Sequence, residues 1–190
     1  YVSDMVALVQ QLRAQVKSTE PLVIDWVGTS MGGLIGLGFS SLPPQASGAV
    51  LRKFVLNDVG PKLRFEALVR IADYLGQPHR FTSEQHAAEY LWSVSDGFGP
   101  HTPEQWMALC KPLLRPAPDG NGLILHYDPA IAIPFKAMTE DGATSGEAML
   151  WQVYEALKCQ VLLLRGMDSD LLDAETATAM GFCLFGTIAI

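Results

Sequence analysis

The stretch LVIDWVGTSMGGLIGLGFS, residues 22–40, limits the fold more than any other part of the chain. Leu22 to Val27 is apolar and β-prone apart from Asp25, and reads as a buried strand. From Met31 to about Ser41 the pattern is helical, and Pro43-Pro44 ends it. Gly28, Thr29 and Ser30 are all that separates strand from helix. So tight a turn brings the residues two before and two after Ser30 together, which leaves no room for side chains at Gly28 and Gly32. Ser30 is then held in a strained backbone conformation, of a kind that costs on the order of 1–3 kcal/mol and persists at functional sites. Gly33, Gly36 and Gly38 follow. Each costs about 1 kcal/mol relative to alanine in a helix, and they are expected to let this helix lie close against the sheet.

The rest of the chain supplies a frame for that turn. Val2, Met5, Val6, Val9, Leu12 and Val16 recur at helical spacing. Arg52 to Asn57 reads as a second strand, and strand–helix–strand in that order predicts a parallel sheet covered on both faces. From Lys62 to about Ala156 the pattern is helical, with LILHY as a short hairpin arm. That is far more than the single helix a crossover needs, and it predicts an inserted helical lid. Strand character returns at Gln160–Arg165, followed by the loop GMDSDLL and a helix from about Ala174 to Met180. The last ten residues, GFCLFGTIAI, show neither helical period nor alternation. The expected organisation is a core over 1–60, a lid over 61–156, core again over 157–180, and an aberrant apolar tail over 181–190.

Several function classes drop out. The net charge is −7 and there is no basic stripe, which argues against nucleic acid. No apolar run is long enough to span a bilayer. Cys110, Cys159 and Cys183 are odd in number and form no CxxC pair, so reduced thiols and a cytoplasmic location are expected, with no structural metal. There is no GxxxxGK[ST], and Gly36-x-Gly38 lies inside the helix rather than at its start, so no phosphate-cradling loop is expected. No cofactor is called for.

Gly28-Thr29-Ser30-Met31-Gly32 is G-x-S-x-G between strand and helix. With DWVGTSMGG (25–33), LNDVGP (56–61), RIADYLG (70–76), LHYDPAIA (125–132) and LLLRGMDSDLL (162–172), the chain resembles the α/β-hydrolase superfamily, and within it the bacterial lid-bearing serine hydrolases. The likeness runs from Tyr1 to about Met180. It implies a partial α/β-hydrolase fold, a mostly parallel sheet with an inserted helical lid. It also implies that Ser30 is the nucleophile and that the Met31 N–H is an oxyanion donor. The acid belongs in the late loop, where Asp170 fits better than Asp168 because Ser-Asp-Leu-Leu matches the subgroup. Asp58, after the second strand, is an alternative. The competing roles are a helix cap for a late-loop aspartate and a turn closed by its own side chain for Asp58.

The resemblance places the general-base histidine after the acid. His79, His86, His101 and His126 all precede Asp168, so none is assigned that role and each reads as structural. A second oxyanion donor belongs on an early loop that would lie before Tyr1. The implied function is a serine hydrolase acting on an ester-like small molecule through an acyl-enzyme. This chain is expected to be an incomplete and inactive piece of it, lacking the N-terminal strands and the C-terminal histidine segment. Trp92, Phe98, Trp106, Phe135 and Trp151 either shape an apolar pocket in the lid or fill its core. Two other readings stay open: a non-catalytic protein binding a hydrophobic small molecule, and a C–C hydrolase or haloperoxidase-like member. Substrate identity and oligomeric state are not legible in the residues.

Overall fold

The computed structural model describes residues 1–95, 99–183 and 187–189. Along the chain these form α1 (Val2–Gln15), β1 (Leu22–Thr29), α2 (Met31–Ser40), α3 (Pro44–Ser47) and β2 (Ala49–Asn57). Next come α4 (Phe65–Tyr74), α5 (Glu84–Ser93), α6 (Pro103–Cys110), β3 (Leu114–Pro116), β4 (Leu123–Leu125) and α7 (Ala132–Lys136). The chain closes with α8 (Glu140–Glu155), β5 (Gln160–Arg165), α9 (Ala174–Cys183) and β6 (Thr187–Ala189). Two compact units result, one from 1–67 with 139–190, the other 68–138.

The first unit holds a parallel sheet in the order β1-β2-β5-β6. Its core joins Leu37 of α2, Phe54 and Leu56 of β2, Tyr154 of α8, Val161 and Leu163 of β5, and Met180 of α9. In the ladder Trp26 sits beside Phe54, and Phe54 beside Val161, so these side chains share one face of the sheet. α2, α8 and α9 cover that face. α1 adds Val9 to a smaller cluster with Phe39 and Ala49. The close approach of α2 explains its glycines. A Cβ at Gly36 would come within 2.5 Å of Phe54 Cζ and 2.6 Å of the Trp26 indole nitrogen, and one at Gly33 would strike Val59 and Leu56.

Four expectations need correction. The sheet is not covered on both faces: Val23 is 65% exposed, Val27 74% and Val50 44%. Every second residue of β1 is exposed, including Asp25, which pairs with Arg52. The second strand begins at Ala49 rather than Arg52, because Gly48 turns the chain at φ 80° and Ala49–Leu51 then pair with Leu22–Ile24. α8 does not belong with the helical insertion expected over 61–156. It lies in the first unit, with Tyr154 buried against the sheet and donating its hydroxyl to the Met180 carbonyl at 3.2 Å. Trp151 goes with it, edge-on to Tyr154. Finally, α9 runs to Cys183, and residues 187–189 of the expected aberrant tail form a parallel strand beside β5.

In the second unit, Ser83 caps α5 and a Thr102–Gln105 capping box starts α6. Trp92 and Trp106 meet edge-to-face at 5.0 Å, and the Trp106 indole donates to the Ala88 carbonyl at 2.9 Å. These two aromatics therefore join α5 to α6. β3 and β4 form an antiparallel hairpin, with LILHY supplying one arm as expected. Phe135 is half-buried on α7, and Phe98 lies outside the described residues. Among the described residues no helix is long and apolar enough to cross a membrane, and no cluster of possible metal ligands occurs.

Candidate active site

β1 ends at Thr29 and α2 begins at Met31, so Ser30 alone makes the turn. Its backbone sits at φ 49°, ψ −120°, a conformation that residues with a side chain rarely adopt. Two elements hold it there. The Ser30 N–H donates to the Asn57 carbonyl of β2 at 3.0 Å, and the Ser30 carbonyl accepts from Gly33 N at 2.9 Å. A Cβ on Gly28 would lie 2.5 Å from the carbonyl carbon and oxygen of Gly32 and from Gly33 N. All three are backbone atoms, so the turn excludes any side chain at Gly28. A Cβ on Gly32 would meet nothing within 4 Å. The crowding expected at both glycines is thus confined to Gly28, whose Cβ direction points into the turn.

Trp26 was not singled out from its sequence, yet it braces this turn. Its indole N–H donates to the Gly32 carbonyl at 3.0 Å, while its ring packs on Phe39 and Phe54. An aromatic donor two residues before the first glycine of the motif was the available signal. The Ser30 side chain makes no cap hydrogen bond to α2. Met31 is the first residue of the helix, so its N–H has no intrahelical acceptor.

Because β1, β2 and β5 are parallel and adjacent, Ser30, Asp58 and the loop 166–173 all lie at the carboxyl ends of their strands. Asp58, at φ 55°, reaches from β2 to that loop. Its Oδ1 accepts from Gly166 N at 3.0 Å and its Oδ2 from the Ser169 hydroxyl at 2.9 Å. Ser169 Oγ in turn accepts from Leu172 N at 3.1 Å, and the Arg165 guanidinium donates to the Leu172 and Met167 carbonyls. Asp168 and Asp170 ride on the loop so held, and both are exposed. Asp58 is thus a clamp on the loop that carries the other two aspartates.

Asp173 caps α9, its Oδ1 accepting from Thr176 N at 2.6 Å. That amide holds the Asp173 carboxyl below the usual carboxylate range, with help from the Thr176 hydroxyl and the charges of Lys62 and Arg64. A lowered folded value means that the unfolded chain binds more protons between the two values, so the cap stabilises above that range and loses its effect as pH falls through the folded value. Asp173→Ala is expected to cost about 1 kcal/mol at neutral pH. Urea midpoints of variant and parent should converge in acid.

The four histidines lie in the unit 68–138. His79 Nε2 is 2.7 Å from the Tyr90 hydroxyl, and its ring stacks on Phe81. His86 Nδ1 is 3.2 Å from Thr82 Oγ1, and His101 Nδ1 is 3.0 Å from the Gly99 carbonyl. His126 is exposed at the end of β4.

No family model matches the chain. It is 46% identical over 182 residues to a 3-hydroxybutyrate-oligomer hydrolase of Cupriavidus necator, a match that covers 95% of this chain and 58% of that protein. Among solved structures, an α/β hydrolase from Novosphingobium aromaticivorans superposes with TM-score 0.75 at 31% identity, over 96% of this chain and 61% of the other. An E-2-(acetamidomethylene)succinate hydrolase shares the fold at TM-score 0.72 and 18% identity, over 100% of this chain and 63% of its own. The chain spans about three fifths of each of these proteins. With a parallel sheet, a one-residue strand-to-helix turn at a serine and these relatives, the 190 residues carry part of an α/β-hydrolase fold and belong to that superfamily.

Proposed function

We propose that this chain carries the nucleophile and acid of an ester hydrolase acting on short oligomers of hydroxy acids. The backbone of Ser30 carries the reading: a positive φ at a one-residue turn between β1 and α2, at the carboxyl edge of a parallel sheet. Strain of this kind is retained where a side chain must stand clear of the sheet. The substrate class rests on the 46% identity to the oligomer hydrolase.

In this reading Ser30 Oγ gives its proton to a base and attacks the ester carbonyl carbon. The charge gathers on the carbonyl oxygen, for which the Met31 N–H at the start of α2 is the donor, and one such donor is worth about 10²–10³ in rate. The C–O bond breaks, the hydroxyl end of the substrate leaves with a proton, and water then releases the acyl group. Asp170 is the acid that orients the base, with Asp168 as its alternate. β2 lies between β1 and β5, so the acid loop stands about 10 Å from the nucleophile strand, two strand spacings away. Unit 68–138 is the lid of this enzyme. None of the four histidines is assigned as the base. Turnover by this chain is therefore near zero, since losing the histidine of such a triad costs about 10⁶.

A fluorophosphonate probe tests Ser30 without requiring turnover. Long incubation should add one phosphonyl group to the peptide bearing Ser30, slowly, and Ser30→Ala should abolish it by mass spectrometry. Labelling at another serine, or none after exhaustive incubation, refutes the assignment.

A further inference from the structure

The unit 68–138 holds a cavity of about 210 Å³. Ile124 and Leu125 of β4 contribute apolar wall, and Arg115, Tyr127, His79 and Arg80 bring polar groups to it. No carboxylate lines it. The two cations differ in what they already hold. Arg80 is paired with Asp119 at 2.7 Å and also donates to the Asn121 carbonyl. Arg115 has no acidic partner among the described residues. It is the cross-strand neighbour of Ile124, so its stem and that apolar side chain share one face of the hairpin.

The other polar groups narrow the ligand. The Tyr127 hydroxyl accepts from Gly76 N at 2.8 Å, which leaves its own proton to donate. His79 is already engaged by Tyr90. The wall is fixed, because Phe81 and Leu123 exchange main-chain hydrogen bonds at 2.9 and 2.8 Å. One unneutralised guanidinium, one hydroxyl donor and aliphatic walls suit a short aliphatic carboxylate. The volume equals that of about seven water molecules, enough to admit one small hydroxy acid residue.

We propose that this cavity binds the free carboxylate end of a linear hydroxy acid oligoester, with Arg115 as the anchor. The inference rests on the ester-oligomer reading: every such oligomer, whatever its length, ends in one carboxylate. A site for that end distinguishes oligomers from neutral esters of the same bond type.

The test uses the full chain with Ser30→Ala, so that no probe is consumed. The linear 3-hydroxybutyrate trimer and its methyl ester are titrated by calorimetry and amide NMR. The free acid should bind at least about tenfold tighter than the ester, the weight of a charge-assisted bidentate contact. Arg115→Gln should erase that preference, and Arg115→Lys should keep part of it. Arg115 is exposed, so neither change threatens folding. Equal binding of acid and ester, binding of neither, or a preference that survives Arg115→Gln overturns the proposal. Failure of the ester-hydrolase reading shows separately, as an unreactive Ser30: an acid preference with unreactive Ser30 upholds the cavity alone, and labelled Ser30 without acid preference refutes the cavity alone.

Discussion

Gly28→Ala should destabilise the chain by about 3 kcal/mol or more, at the upper end of overpacking costs, and abolish probe labelling of Ser30. The added methyl would sit 2.5 Å from three backbone atoms of Gly32 and Gly33. Side chains can turn away from such a contact, but this backbone cannot. It is the first turn of α2, tied to β1 by the Trp26 indole and to Ser30 by the Gly33 amide. Relief requires α2 to back off the sheet, which opens its packing on Phe54 and Leu56, or Ser30 to leave its φ of 49°. Gly32→Ala is the control. Its Cβ meets nothing within 4 Å, and alanine is favoured over glycine in a helix by about 1 kcal/mol. That variant should unfold at or above the parent's urea midpoint and keep its labelling. A Gly28→Ala chain that matches the parent in both measurements would show that the turn is not built as described.

The contrast between these two glycines marks how much was legible in the residues. G-x-S-x-G between an apolar run and a glycine-rich helix fixes the turn, because few other local structures need that pattern. Which glycine bears the crowding depends on a Cβ direction, and that appears only with coordinates. The same holds for helix partners. α8 is visible as a helix from its spacing, but spacing does not say which core receives Leu150 and Tyr154, so it reads as part of the insertion. β1 looks like a strand buried on both sides because Val23, Ile24, Trp26 and Val27 are all apolar, and only Asp25 hints at the exposed face. In the late loop the aspartates at 168, 170 and 173 are alike as letters. Hydrogen bonding singles out Asp173, which takes the cap of α9. The cavity at Arg115 was hidden for another reason. Its walls come from segments joined by a hairpin and by the Phe81–Leu123 pairing, contacts that no local pattern announces.

Asp58 decides between two roles that the same letter allows, and two substitutions separate them. Asp58→Ala leaves the Gly166 amide and the Ser169 hydroxyl without their acceptor, and it puts alanine at a φ of 55°. Together these should cost about 2 kcal/mol, discounted for the partial exposure of the site. Hydrogen exchange should quicken across 166–172. Asp58→Asn keeps most of the clamp: its carbonyl can accept from Gly166 and its amide can donate to Ser169 Oγ, and asparagine tolerates this φ. The expected loss is under about 1 kcal/mol, with exchange in the loop little changed. A triad acid behaves in the opposite way, because asparagine there preserves the geometry and destroys the tautomer, at about 10⁴ in rate. An ordering with alanine far worse than asparagine in stability and exchange therefore assigns Asp58 to the clamp. Equal damage from both would mean that the negative charge itself is what the site requires. The clamp sets the position of the loop after β5 from the neighbouring strand β2, through the Gly166 amide and the Ser169 hydroxyl.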